Sequence, residues 1–533
     1  MGTPSRRGGT PLPALGTVAM GSAAGRWILL VSILGSGLAG IDATVVNVAL
    51  PAIGGSLGAG FTGLQWTVTA YTLTLAAFIL LGGSLADRFG RRRMFIVGVV
   101  WFAAASMLCG LAPGIGTLIA ARTLQGIGGA LLTPGSLAIL QATFAPGDRA
   151  KAIGAWSGLS GVATAIGPFL GGWLVEHASW RWVFLINAPV AALVVFLALR
   201  YVPESRDPAA APRLDIAGAA LGVVALGGIT YGLLEQPSQG ITALPVLGAL
   251  VLGVAAGVAF GVVEWRSTSP MVPLDIFRSR QFTAANLVTF TVYGGFGAVF
   301  FLLIIQLQVV SGFSPLAAGV SILPITFIML ALSSASGALA YRIGPRLQMS
   351  VGPAVCALGL VLMLRIGPDA SYVADVLPGV AVFGLGLAIM VAPLTATALS
   401  SAPVDRAGLA SGVNNAVARA AGLLAIAVLP AFAGLGGDDY TRPEAFNAGF
   451  DRAMWGAVAV LLVGAAIAAI SISNHALDEA GHTPGEPGEA LRDVARIHTS
   501  PHPHPQVIAS HCAVAAPPQL IDCGEGADDT SHR

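Results

Sequence analysis

Fourteen apolar stretches, each long enough to cross a bilayer as a helix, run through the chain at 27–50, 64–85, 94–112, 116–142, 152–175, 181–200, 214–234, 244–264, 283–310, 316–340, 347–365, 374–399, 407–433 and 453–473. A hydrocarbon layer about 30 Å thick takes about 20 residues of helix. Backbone left unpaired in that layer is too costly, so only helices or a closed barrel can span it. A barrel would alternate apolar and polar residues over segments of about ten. These runs do not alternate, and the expected fold is all-α and integral to the membrane. Composition agrees: 55% of the 533 residues are hydrophobic and 10% charged, with mean hydropathy +0.79, whereas soluble domains carry about 25% charged residues. A soluble globular domain is excluded, and so is disorder over most of the length. Four cysteines are too few for a disulfide scaffold.

Orientation follows from the cations, because cytoplasmic loops are enriched in Lys and Arg. With the N-terminus inside, Arg6, Arg7, Arg26, Arg88, Arg91, Arg92, Arg93, Arg149, Lys151, Arg200, Arg206, Arg213, Arg266, Arg278, Arg280, Arg342, Arg346 and Arg406 are expected to face the cytoplasm, and only Arg181, Arg365, Arg442 and Arg452 to face out. An even number of spans then puts both termini in the cytoplasm. The first apolar run is too long for the core of a cleavable signal peptide, so it is expected to act as the insertion signal itself. One lysine beside 26 arginines is the usage of a high-GC bacterial coding sequence, and the expected location is a bacterial inner (plasma) membrane.

An internal repeat organises the spans. The loop after span 2 reads G-S-L-A-D-R-F-G-R-R (83–92), and the loop after span 10 reads G-A-L-A-Y-R-I-G-P-R (337–346). Each follows the second span of a six-helix half if spans 7 and 8 are an inserted pair. The expected plan is 6+2+6: a disordered N-terminus 1–26, a first bundle 27–201, a linker with the inserted pair 202–282, a second bundle 283–473, and a tail 474–533. Paired six-helix halves with a site between them are a transporter architecture. The tail holds nine acids, three arginines and seven of the eight histidines, and is expected to be a disordered, solvated segment, with metal binding as the other reading of its histidines.

Ionisable side chains inside the membrane are costly and mark function by default. Asp42 lies fifteen residues into span 1, about 22 Å from its cytoplasmic end, and Arg122 in span 4 lies about 21 Å from the same face. Their depths match. A pair, or a network through Gln125 and Asn47, would relieve the burial of both charges. Two readings stay open: the pair pins spans 1 and 4, or Arg122 biases protonation of Asp42 or a nearby carboxylate, so that proton and substrate compete. Arg419 in span 13 lies about 18 Å from the inside and is either a polar clamp or a second midplane cation. Asn47, Tyr71, Gln306, Asn414 and Arg419 are the candidates for the substrate cavity.

The 83–92 loop is a positive-inside cluster. Its glycines, Gly83 and Gly90, allow a tight turn and close helix approach. Asp87, near a helix start or opposite Arg88, is expected to trade partners with Arg88, Arg91 and Arg92 as a gate latch. Span 5 carries Gly154, Gly158, Gly161, Gly167, Pro168, Gly171 and Gly172, which suit close packing and a bend.

At these residues the chain resembles the major facilitator superfamily, and within it the fourteen-span drug:proton antiporter branch. Residues Ile41–Pro51 are similar to that branch's l-D-x-T-v-v-n-v-A-l-P signature. The 83–92 loop resembles the superfamily's gate motif, with Arg92 where Lys is common. Arg122, Gln125, Gly126 and Gly128 resemble the R-x-x-q-G-x-g motif tied to proton coupling. Gly167, Pro168, Gly171 and Gly172 resemble the antiporter motif, with Ala163 where its first Gly belongs. Tyr341 replaces Asp in the second copy of the gate loop. Segments 306–315 and 411–415 extend the likeness to residues 27–473. The resemblance implies a secondary active exporter: proton-coupled antiport of small amphipathic drugs or antibiotics by alternating access, with a proton gradient and no cofactor, as a monomer in the lipid bilayer with no nucleic-acid partner. Export of one endogenous metabolite or lipid, and a non-transporting receptor or scaffold, are the alternatives. No H-E-x-x-H or G-x-x-x-x-G-K-[ST] pattern is present, so neither an enzyme nor an ATP-driven pump is expected.

Overall fold

The computed structural model describes residues 16–207, 215–267, 270–402 and 406–474. Its helices are α1 (Ala23–Leu57), α2 (Phe61–Phe89), α3 (Arg91–Gly110), α4 (Ile115–Thr143), α5 (Pro146–His177), α6 (Trp182–Leu185), α7 (Asn187–Tyr201), α8 (Ile216–Gln239), α9 (Leu244–Arg266), α10 (Arg280–Ile305), α11 (Pro315–Ser321), α12 (Leu323–Ile343), α13 (Pro345–Met363), α14 (Leu377–Ser400), α15 (Ala407–Phe432) and α16 (Pro443–Ser471). They make fourteen segments long and apolar enough to cross a membrane. α6 with α7, and α11 with α12, each form one interrupted segment, and single π-helical stretches extend α10 (Gln306–Val310) and precede α14 (Tyr372–Val376). Among the described residues the only β pairing is an isolated bridge between Val18 and Phe144.

The helices run beyond the apolar stretches because capping, not hydropathy, ends them. The hydroxyl of Ser22 accepts from the Gly25 amide at 3.0 Å and starts α1, and Gly58 at φ 60° stops it. The segment before α1 corrects the expectation of a disordered N-terminus through residue 26. Gly16 and Val18 donate their amides to Ala142 and Thr143, the Ala145 amide returns to Val18, and Met20 donates to the Asp148 carboxylate at 2.9 Å. Val18 is buried against the end of α4, and that apolar contact orders the strand-like stretch. Residues 1–15, Arg213 and the histidine-bearing tail from 475 onward lie outside the described residues.

At three of the prolines inside helices, Pro168, Pro393 and Pro430, a side chain from another helix replaces the hydrogen bond that the proline removes. A proline has no N–H for the carbonyl four residues before it, and in hydrocarbon that carbonyl needs another donor. Pro168 frees the Thr164 carbonyl, which accepts the Thr44 hydroxyl of α1 at 3.0 Å. Pro430 frees that of Ile426, which accepts the Gln65 amide of α2 at 2.7 Å. Pro393 frees that of Ile389, which accepts the Ser336 hydroxyl of α12 at 2.6 Å. Each bend is thereby tied to a neighbouring helix.

At the Gly58 end of the bundle, α1–α7 and α10–α16 are closely joined. The Phe61 amide donates to the Gly437 carbonyl at 2.8 Å and the Tyr440 hydroxyl to the Ala59 carbonyl at 2.7 Å. Gln308 donates to the Val48 carbonyl at 3.0 Å, and the Leu316 amide to Glu176 at 3.1 Å. At the opposite, Gly90 end, α2 and α15 still meet where Leu80 faces Gly412. One face of the start of α5 is uncovered: a methyl group added at Gly154, Gly158 or Gly161 would meet nothing within 4 Å. The inserted pair α8 and α9 pack on each other, and α8 also contacts α2 and α15.

Two glycines test this difference in packing. A methyl at Gly128 of α4 would lie 2.6 Å from the backbone nitrogen of Phe102, whereas one at Gly154 meets open space. Gly128→Ala should destabilise the detergent-solubilised protein by about 1–3 kcal/mol, the usual cost of overpacking. Gly154→Ala should leave thermal unfolding unchanged or raise it, because alanine is the better helix former.

Candidate functional site

Asp42 and Arg122 meet as their matched depths predict. Both are buried, with 0% and 1% of their surface exposed. Arg122 Nη1 lies 2.5 Å from Asp42 Oδ2. Gln125, one turn on from Arg122, closes a triangle: its Oε1 accepts from Arg122 Nη1 at 2.7 Å and its Nε2 donates to Asp42 Oδ1 at 2.7 Å. Arg122 Nε donates to the Thr67 carbonyl at 3.0 Å, and its guanidinium lies 4.3 Å from the ring of Tyr71 and 5.7 Å from that of Phe184. The approach of Tyr71 depends on Gly126, where any side chain would collide with Thr74 and the Tyr71 backbone. Asp42 accepts from three side chains, those of Arg122, Gln125 and Asn187.

Asn47, expected in this network, is not part of it. Its Oδ1 is buried without a partner, since five residues along α1 turn it onto another face. Asn187 of α7 takes the place, with Nδ2 3.4 Å from Asp42 Oδ1 and 3.0 Å from the Ser106 hydroxyl, which in turn donates to the Phe184 carbonyl at 2.9 Å. A lone amide inside the apolar run 181–200 was the available signal for it.

Of the other cavity candidates, two are structural ties. Gln306 is fully buried, and its amide donates to the Ile366 carbonyl and to Asn447, both at 2.7 Å or less. Asn414 joins α15 to α10 through Asn286 at 3.2 Å and Thr289 at 2.9 Å. The Asn414 amide and the Gln306 amide nitrogen are used within the helix packing, whereas Gln306 Oε1 is buried without a partner. Tyr71 and Arg419 differ: the Tyr71 hydroxyl and Arg419 Nε are buried and unpartnered.

The gate loop is built differently from its expected pairing. Asp87 sits in the last turn of α2, not at a helix start, and pairs with Arg91 (Nε at 2.9 Å, Nη2 at 2.8 Å) rather than Arg88, which lies over the Phe89 ring. Arg92 reaches the Val202 carbonyl at 3.1 Å. Glu204, unnoticed in the sequence, caps α3: its two oxygens accept the Arg92 and Arg93 amides at 3.1 Å each, where a negative charge also suits the helix dipole. Gly90, at φ 114°, leaves room for it. The second copy repeats the device. Gly344 has φ 80°, and the Asn474 side chain accepts from the Arg346 amide at 3.2 Å to cap α13. Gly83 makes only ordinary contact with Pro134.

Along α5 the glycines divide. Gly167 abuts Thr44, Gly171 lies against Val45 of α1, and Gly172 would place a methyl 2.6 Å from the Leu316 backbone of α11. Gly154, Gly158 and Gly161, expected to pack closely as well, lie on an uncovered face of α5, while its opposite face is held by Ala152 in the core and by the Trp156 indole, which donates to the Ser36 hydroxyl of α1 at 2.9 Å. Pro168 packs through its carbonyl against Gly319. Ala163, the departure from the antiporter pattern, faces Gly37 of α1, which leaves room for the extra methyl. Among the described residues no cluster of three or more His, Cys, Asp or Glu could hold a metal.

Known proteins agree with this architecture. The puromycin resistance protein pur8 of Streptomyces alboniger is 38% identical over 86% of this chain and 95% of its own. Multidrug resistance protein Stp of Mycobacterium tuberculosis is 38% identical over 73% and 72%, and the tetracenomycin C resistance and export protein of Streptomyces glaucescens 36% over 79% and 76%. Among solved structures, a peptide transporter POT in complex with sulfate shares the fold with a TM-score of 0.62, at 17% identity over 83% of this chain and 94% of that one. The sequence profile of the Major Facilitator Superfamily matches residues 32–427, and with relatives this similar along most of their length the chain belongs to that family of transporters.

Proposed function

We propose that the protein is a proton-driven exporter of small amphipathic compounds, antibiotics among them, acting as a monomer in a bacterial plasma membrane with both termini in the cytoplasm. The observation that carries the reading is the buried triangle of Asp42, Arg122 and Gln125. The names of the relatives, resistance and export proteins for puromycin and tetracenomycin C, support the substrate class. A 6+2+6 plan is supported by the like caps of α3 and α13, each supplied by the residue that follows a sixth helix.

In this orientation the Gly58 end faces out, and the hydrogen bonds that join the two sets of helices there, with the uncovered Gly154, Gly158 and Gly161 face of α5 at the other end, support reading the structure as an inward-open state. Substrate enters from the cytoplasm or inner leaflet. When the outer end opens, a proton adds to the Asp42 carboxylate and Arg122 loses its ion-pair partner. Reclosure lets Arg122 pair with Asp42 again as the proton leaves to the cytoplasm. Alternation is thus driven by a differential interaction of the proton with the two states. The gate loop with Asp87, Arg91 and Arg92 holds α2 to α3 at the inner end, while the Gln65 bond to the Ile426 carbonyl helps to hold the outer end shut.

Asp42→Asn, reconstituted in vesicles with an internal pH dye, should fold and insert but lose substrate-triggered proton movement; undiminished movement in that variant would overturn the coupling role. Stability separates coupling from mere pinning. Asp42→Leu should destabilise the solubilised protein by about 3–5 kcal/mol, because it strands Arg122, whereas adding Arg122→Met should recover much of that loss. A double variant that is stable yet inactive assigns the pair to transport; one that still exchanges protons assigns it to structure.

A further inference from the structure

The Asp42–Arg122 pair is electrically neutral and enclosed within the first set of helices. Arg419 is the unbalanced charge. It lies twelve residues into α15, about 18 Å along the helix axis and near the middle of its span. Its Nε is buried without a partner, and among the described residues no carboxylate lies within ion-pair distance. The α2–α15 contacts at Gln65–Ile426 and Leu80–Gly412 put Arg419, midway between them on α15, level with the Tyr71 turn of α2. A polar side chain that clamps helices donates to acceptors on its neighbours, as Asn414 on the same helix donates to the side-chain oxygens of Asn286 and Thr289. Arg419 makes no such bond, and an uncompensated cation at this depth is expensive. The Tyr71 hydroxyl, also buried and unpartnered, is a second donor.

We propose that Arg419 and the Tyr71 hydroxyl form a subsite for an anionic group, so that the exported compounds include organic acids: amphipathic molecules bearing a carboxylate or an acidic enol or phenol. This inference rests on the export reading. A guanidinium presents paired donors that match a carboxylate, and a hydroxyl alongside completes the anion's coordination. The two groups come from α15 and α2, on opposite sides of the molecule's division, so the bound anion bridges them. The Tyr71 ring lies on the Arg122 guanidinium. An anion at its hydroxyl therefore sits one side chain away from the proton site, in a position to favour or oppose release of Arg122. Exchange of an outgoing anion for an incoming proton moves positive charge inward in both steps, so transport is expected to quicken with an inside-negative potential.

The test uses the full chain purified in detergent, titrated with a dihydroxyanthraquinone carboxylic acid and with its methyl ester. The wild type should bind the acid about ten- to a hundredfold more tightly than the ester, the range expected for hydrogen bonds to a charged group. Arg419→Gln should abolish that preference while leaving ester affinity unchanged, Arg419→Lys should keep part of it, and Tyr71→Phe should reduce it. If Arg419→Gln does not fold, the wild-type ratio and Arg419→Lys still decide. Equal affinity for acid and ester, no binding of either, or a preference that survives Arg419→Gln would overturn the inference. A parallel vesicle assay with tetraphenylphosphonium keeps the two readings apart. Proton exchange for that cation without acid binding leaves export standing and removes the anion subsite; acid binding with no proton movement for any compound keeps the subsite and removes the exporter.

Discussion

Inside a bilayer there is no water to complete a hydrogen bond, so a polar atom within these fourteen spans is costly unless it finds a partner in the protein. Much of the structure follows from that. The buried charge of Asp42 requires Arg122, Gln125 and Asn187 around it, and three helices are thereby brought to one point. The prolines that bend α5, α14 and α15 leave carbonyls that Thr44, Ser336 and Gln65 must satisfy from other helices. Polar contacts are few, and each of them fixes a helix position.

Close approach supplies the remaining specificity. Lipid tails are as apolar as the helices, so contact depends on van der Waals fit and on small residues. Gly126 and Gly128 seat α4 against α2 and α3, and Gly171 and Gly172 seat the end of α5 against α1 and α11. The same residue type does nothing comparable at Gly154, Gly158 and Gly161, where no neighbour approaches. Along one helix, the glycines toward the Gly58 end are packed and those toward the Gly90 end lie on an uncovered face.

The fourteen spans and the all-helical fold were legible because hydropathy and length are local properties that the bilayer reads directly. The Asp42–Arg122 pair was legible for a related reason: a fixed rise per residue converts position into depth. The partners at that site were less so. Asn47 looked as suitable as Asn187, and only the rotation of α1 turned one away while α7 brought in the other. Asp87 was assigned to Arg88 by adjacency, but the turn at Gly90 between α2 and α3 brings Arg91, the first residue of α3, onto it instead. Glu204 was overlooked because it lies more than a hundred residues from the turn it caps.

From the sequence alone come the number of spans, the buried charges and the repeated glycine turns, since each depends on how a residue or short segment meets hydrocarbon or adopts its own backbone angles. Tertiary structure decided which polar groups are spent on holding helices together and which remain free. Gln306 and Asn414 became ties, while Tyr71 and Arg419 kept unpaired donors. The physical reason is that satisfaction of a buried donor depends on the rotation and spacing of helices far apart in the chain, and a single sequence does not specify those distances residue by residue.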